Sequence, residues 1–210
     1  MINIRVFLIT ILIWCSAAIS FAAPYAAIVI DADTGKVLHF ENANTRLHPA
    51  GLTKLATLYA AFEAVETREV DLDAKARISL KAANEELAAL GMREGQRVSI
   101  RDLIRATAIK GANDTSTALA EAISGSEQAF TKRLDETAKE LGLSRSTFKN
   151  AHGLTEKGHL STASDMAFLM KAIAEDFPTY LFILGRVNHT AVGKKITHSA
   201  DRLLKGYRGA

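Results

Sequence analysis

The chain has 210 residues, 48 % of them apolar, which is the size of one globular domain with enough apolar matter for a real core. Its 26 basic and 23 acidic residues leave a formal net charge of +3, and they are interleaved rather than massed, so the charge gives no argument for nucleic acid. The single cysteine, Cys15, falls inside an early apolar run, so a chain processed after that run carries no disulfide, catalytic thiol or cysteine-bound metal.

That early run reads as a secretory signal peptide. Arg5 supplies the positive n-region, Val6 to Cys15 the apolar h-region, and Ser20-Phe21-Ala22 the small-residue cleavage site. The expected division is therefore a signal peptide over 1–22 and one domain over 23–210. The h-region is short for a membrane span and is followed by small residues and Pro24, so no span is expected after cleavage. Tyr25 to Asp31 and Lys36 to Phe40 read as two strands joined by the turn Asp33-Thr34-Gly35.

After a polar loop, Pro49-Ala50-Gly51-Leu52-Thr53-Lys54 opens an apolar helix running to Val65. Leu52, Leu55, Ala56, Tyr59 and Phe62 recur at three- and four-residue steps, which predicts one buried face. Asp71 to Gly95 shows no dominant period. Arg97 to Ile100 is extended and leads into a short helix, Leu103 to Ile109. A turn, Lys110-Gly111-Ala112-Asn113-Asp114, precedes a helix from Thr115 to Ile123, and Glu127 to Leu141 is an amphipathic helix closed by Gly142. Phe148 to Leu154 is a loop. Thr162 starts another helix to about Ala174, and Val187 to Thr190 with Lys194 to His198 form a last hairpin around Gly193. Strands, then helices, then weak strands is an α+β order.

The chemistry centres on two short stretches. Gly51 and Lys54 are three residues apart and share one side of a helix start. A lysine one turn after a helix-opening residue is placed to exchange a proton with that residue's side chain, but glycine has none. Asn113 and Asp114 both suit a helix cap or turn, and Gly111 suits a turn with positive φ. His48, His152, His159, His189 and His198 share no short ligand spacing and no H-E-x-x-H occurs, so no metal and no cofactor is expected. Ser116, Ser161 and Ser164 have no lysine or histidine at a local spacing that would activate them.

Pro49-Ala50-Gly51-Leu52-Thr53-Lys54 resembles the P-A-S-x-T-K element of the D-alanyl-D-alanine carboxypeptidases, the low-molecular-weight penicillin-binding serine peptidases, and Gly111-Ala112-Asn113 resembles their S-x-N element. Asp31 to Leu38 is similar to the family's opening hairpin, and Phe148 to Gly153 and His159 to Ala163 to its loops. The resemblance implies a penicillin-binding protein/β-lactamase-like fold, with a helical block inserted in an antiparallel sheet. It implies a substrate as well: peptidoglycan stem peptides ending in D-Ala-D-Ala. It assigns the nucleophile's position to Gly51, the proton-accepting lysine to Lys54, the second serine's position to Gly111, and substrate hydrogen bonding to Asn113. No K-T-G triplet occurs among the 210 residues, and the chain ends where Arg202 to Tyr207 would lead into that strand.

The expectation is a degenerate, C-terminally truncated homologue, exported to the periplasm or beyond, whose carboxypeptidase activity is impaired and which β-lactams do not acylate. The alternatives are a non-catalytic protein that binds peptidoglycan or a partner, and a non-functional truncated product.

Overall fold

The structure, a computed structural model, describes residues 24–207; the expected signal peptide lies outside them. Strands β1 (Ala27–Ile30) and β2 (Val37–Glu41) form the opening antiparallel hairpin, with an irregularity between Val29 and Ile30. Asp31 organises its turn, its Oδ1 accepting from the Thr34 N–H at 2.8 Å and the Thr34 hydroxyl at 2.6 Å. Strands β3 (Lys75–Arg77) and β4 (Arg97–Ser99) pair antiparallel, as do β5 (Asn188–Ala191) and β6 (Lys194–Thr197). Among the described residues these three ladders stay separate, so the strands do not merge into one sheet.

The helical block lies between the first and last ladders in sequence, with the two strands of the second ladder interspersed among its helices. Helix α1 (Thr53–Glu66) follows a 3-10 turn, Ala50–Leu52. Short helices α2 (Leu80–Ala83) and α3 (Ile100–Arg105) come next. Helices α4 (Asn113–Ser124), α5 (Glu127–Glu140) and α6 (Ala163–Asp176) are the long ones around α1. Ser79, Ser99, Ser126 and Thr162 each cap the helix that follows by accepting a backbone N–H three residues on. Gly125 and Gly142 end α4 and α5 with positive φ.

One expectation is corrected here. Helix α1 is not buried on one face; Thr53, Lys54, Ala56, Thr57, Leu58, Tyr59, Ala60, Ala61, Phe62 and Ala64 are all buried. Ala56, Ala60, Ala61 and Ala64 let neighbouring helices approach on several sides, and a helix surrounded in this way has no strong amphipathic signal. Leu52, expected in the core, is exposed because it belongs to the 3-10 turn. Phe62 is fully buried, stacks on Tyr180 at 4.5 Å and meets Phe177 edge-on.

Near the end of the described residues, Arg202 to Gly206 lie in helix α8 (Asp201–Gly206), which follows the one-turn helix α7 (Leu181–Leu184) and the last hairpin. The first hairpin leaves Val29, Val37, Leu38 and Phe40 exposed, while Ala27, Ile28 and Ile30 are half-buried.

Candidate active site

The site forms where the start of α1, the start of α4 and the loop between α5 and α6 meet. The turn before α1 is tightly held. Ala50 has φ +47°, and its carbonyl oxygen approaches Gly153 so closely that a Cβ at 153 would lie 1.8 Å from it. With φ +92°, Gly153 also holds a backbone conformation that side chains rarely adopt. Gly51 sits on the exposed side of this turn, where an added Cβ would meet nothing within 4 Å.

Lys54 points inward from the first turn of α1. Its Nζ donates to Asn113 Oδ1 at 2.8 Å and to the His152 carbonyl at 2.6 Å. Only 9 % of the residue is exposed, and burial pulls its pKa from 10.5 down to about 8. Asn113 is fixed in turn, its Nδ2 donating to the Glu86 carbonyl at 3.0 Å. Thr53, on a different side of α1, pairs its hydroxyl with His159 Nε2 at 2.8 Å, and the Thr57 hydroxyl donates to the Ala151 carbonyl at 2.6 Å. These contacts tie α1 to the 151–159 loop.

The α4 side is built by a π-helical turn and a carboxylate. Ala106–Lys110 is π-helical and ends at Gly111, whose φ of +68° lets the chain reverse into α4. An added Cβ at Gly111 would also meet nothing within 4 Å. Asp114, 1 % exposed, accepts from the backbone N–H groups of Leu90, Gly91 and Met92 at 2.9, 2.9 and 3.3 Å. It thereby anchors the irregular segment before β4, while its Oδ1 also accepts from the Thr115 N–H at 2.9 Å in the first turn of α4, whose N-cap residue, Ala112, has no capping side chain.

Behind His152 lies a second polar group. Glu85, Glu127 and His152 each offer a ligand-type atom, all within 4.8 Å of one another. His152 Nε2 stands 3.5 Å from Glu85 and 3.7 Å from Glu127. The Leu154 N–H points at His152 Nδ1, 3.1 Å away, so that nitrogen carries the lone pair and Nε2–H faces the carboxylates. Lys81 reaches Glu127 at 2.6 Å and the Ala151 N–H reaches it at 2.8 Å. A metal at His152 Nε2 would need the opposite tautomer, so this donor set suits shared hydrogen bonding better than an ion. Burial lowers the His152 pKa and raises that of Glu85. A cavity of about 670 Å³ adjoins the group.

The structure thus brings Gly51, Lys54, Gly111 and Asn113 to one place: Lys54 bonds Asn113, and Gly51, Lys54 and Gly111 line a cavity of about 300 Å³. Sequence reasoning left three contributors out. The His152 carbonyl is a backbone group and has no signature. His159 stood among scattered histidines until the fold set it against Thr53. Gly153 followed the asparagine and histidine of a loop, and only the close Ala50 carbonyl explains it.

Comparison with known proteins identifies the family and the fold. A family model described as D-alanyl-D-alanine carboxypeptidase matches residues 16–205. The D-alanyl-D-alanine carboxypeptidase DacF of Bacillus subtilis (strain 168) is 41 % identical over 148 residues, covering 70 % of this chain and 38 % of its own length. DacC of Escherichia coli (strain K12) is 36 % identical over 159 residues, covering 73 % of this chain and 40 % of its own length. Penicillin binding protein 5 from Haemophilus influenzae superposes with a TM-score of 0.81 at 26 % identity, over 88 % of this chain and 56 % of that one. The chain spans about two fifths of the length of the curated relatives it matches. The fold is the mixed α+β arrangement of the penicillin-binding proteins, with small antiparallel ladders about a helical block. By this match, the chain belongs to the D-alanyl-D-alanine carboxypeptidase family.

Proposed function

We propose that this chain is a catalytically impaired D-alanyl-D-alanine carboxypeptidase homologue that binds peptidoglycan stem peptides ending in D-Ala-D-Ala without hydrolysing them. One observation carries the reading: Lys54 and Asn113 are paired at 2.8 Å beside a position, Gly51, that has open space and no hydroxyl. Serine peptidase chemistry starts with a hydroxyl attacking the scissile carbonyl while a base takes its proton. Here the amine remains and the hydroxyl does not. Gly111, in the second serine's place, likewise offers no hydroxyl to protonate a leaving D-alanine. Thr53 does not replace either group, because its hydroxyl is committed to His159.

Without an acyl-enzyme, what remains is water attack assisted by binding, on the order of 10³–10⁴ over solution in a well-built serine site. β-Lactams, which label such sites by acylating the hydroxyl, should leave this one unmodified. Asn113 would turn part of its amide toward the peptide backbone, exchanging its Glu86 contact for substrate. The apolar run that reads as a signal peptide supports export to the periplasm or beyond; among the described residues no helix is long and apolar enough to cross a membrane.

The test is calorimetric titration of the chain with a diacetylated L-Lys-D-Ala-D-Ala tripeptide, alongside an enzymatic assay for free D-alanine. The reading predicts saturable binding with at most a trace of D-alanine, far below one turnover per chain. Sustained multiple turnover would overturn the impairment, and no binding at millimolar peptide would overturn the binding role.

A further inference from the structure

Lys54 is held in a way that peptide binding does not use. Its Nζ has two acceptors, Asn113 Oδ1 and the His152 carbonyl, and among the described residues no carboxylate lies within ion-pair distance of it. A lysine nitrogen has four tetrahedral directions. Cε takes one and the two acceptors take two more, so a neutral amine can keep both hydrogen bonds and still carry its lone pair along the fourth.

The surroundings leave that amine room to react. Gly51, one turn earlier, contributes no side chain, and the space above it is open to at least 4 Å. Lys54 and Gly51 share a cavity of about 300 Å³ whose other walls include Leu55, Leu58, Ala108, Met170 and Leu184. An apolar wall next to an amine does two things. It disfavours the ammonium, consistent with a pKa of about 8, and it admits apolar electrophiles while offering little to charged ones. A desolvated lysine of this kind is the residue type that forms Schiff bases with carbonyl compounds.

We infer that Lys54 is a nucleophilic amine that forms an imine with small apolar aldehydes, aromatic ones in particular, entering the cavity beside Gly51. The lone pair of Nζ attacks the carbonyl carbon, a C–N bond forms, and one N–H proton passes to the former carbonyl oxygen. The resulting carbinolamine then loses water: the C–O bond breaks and the second N–H proton leaves with the hydroxyl. Amine and aldehyde become imine and water, with no change of oxidation state. Once protonated, the imine keeps one N–H for its two former acceptors. The step requires neither peptide binding nor a hydroxyl at position 51, so it stands apart from the stem-peptide reading.

Reductive trapping tests it. The chain is incubated with benzaldehyde and sodium cyanoborohydride at a pH near 8, and hydride reduction fixes each imine as a stable secondary amine that peptide mass spectrometry can locate. At that pH about half of Lys54 is the free amine, against well under one in a hundred for an exposed lysine of ordinary pKa. The expected result is benzylation of Lys54 at least about tenfold faster than of exposed Lys75 and Lys157. Labelling of Lys54 no faster than of those two overturns the inference. Gly51→Val, which puts a branched side chain beside the amine, should slow Lys54 and leave Lys157 unchanged; an unchanged Lys54 rate in that variant would overturn the cavity as the route of entry.

Discussion

Replacing Lys54 by methionine should change how stability depends on pH, and the change can be worked out in advance. In the folded chain burial brings the Lys54 pKa to about 8, while in the unfolded chain it returns to about 10.5. Below pH 8 both states hold the proton, and the folded state carries the full cost of a buried ammonium. Between about 8 and 10.5 the unfolded state binds more protons than the folded one, so stability rises with pH across that window. A shift of this size corresponds to about 3 kcal/mol at 1.36 kcal/mol per unit. Lys54→Met also strips the donor from Asn113 Oδ1 and the His152 carbonyl, costing about 1–3 kcal/mol for each acceptor left unsatisfied, but that cost does not vary with pH.

The informative quantity is therefore the difference in unfolding free energy between the unaltered chain and the variant. It should grow in favour of the unaltered chain by about 3 kcal/mol from pH 8 to 10.5 and stay flat below. Other lysines and tyrosines titrate in both proteins and cancel. Urea unfolding should be followed by far-UV circular dichroism, because the only tryptophan, Trp14, lies outside the described residues. Parallel stability curves across the window would refute the argument and mean that the two acceptors compensate the buried charge fully.

Two further substitutions test the scaffold of the site. Gly153→Ala forces a methyl group against the Ala50 carbonyl at a positive φ, so urea midpoints should report a loss of about 3 kcal/mol or more; a loss under about 1 kcal/mol would mean the turn relaxes freely. Asp114→Asn keeps the shape but weakens a buried acceptor of four backbone N–H groups, costing about 2 kcal/mol. Amide hydrogen exchange should accelerate at Leu90, Gly91 and Met92 ahead of the helical core; uniform acceleration everywhere would contradict a local anchoring role.

Much of the fold was legible because its signals are local. The opening hairpin announces itself by Asp33-Thr34-Gly35 between apolar strands, and α5 by its amphipathic spacing and Gly142. Helix α1 was legible as a helix but not as a central one. Its alanines look neutral in a pattern count, and only packing shows that they admit three other long helices. Arg97–Ser99 reads as extended in the sequence, but its partner strand Lys75–Arg77 left no periodic trace, because three residues are too few to establish one.

The site divides along the same line. Gly51, Lys54, Gly111 and Asn113 stand in short motifs and were found in the sequence. The His152 carbonyl, the Glu85–Glu127–His152 group and the Asp114 anchor join segments far apart in the chain, so nothing in local spacing points to them. Asp114 is instructive: its position suggests a helix cap, and it does accept the Thr115 N–H at the start of α4, but three N–H groups of another segment share the same carboxylate.

The central claim is that a missing hydroxyl at position 51 is what silences this site. It is tested most directly by intact-mass measurement of β-lactam acylation on the unaltered chain and on Gly51→Ser. The space above Gly51 is open and its φ lies outside the positive range, so the serine enters without strain. The account predicts no adduct on the unaltered chain and one adduct on the variant, mapped to position 51. An adduct on the unaltered chain, or none on a variant whose circular dichroism matches it, would contradict the claim.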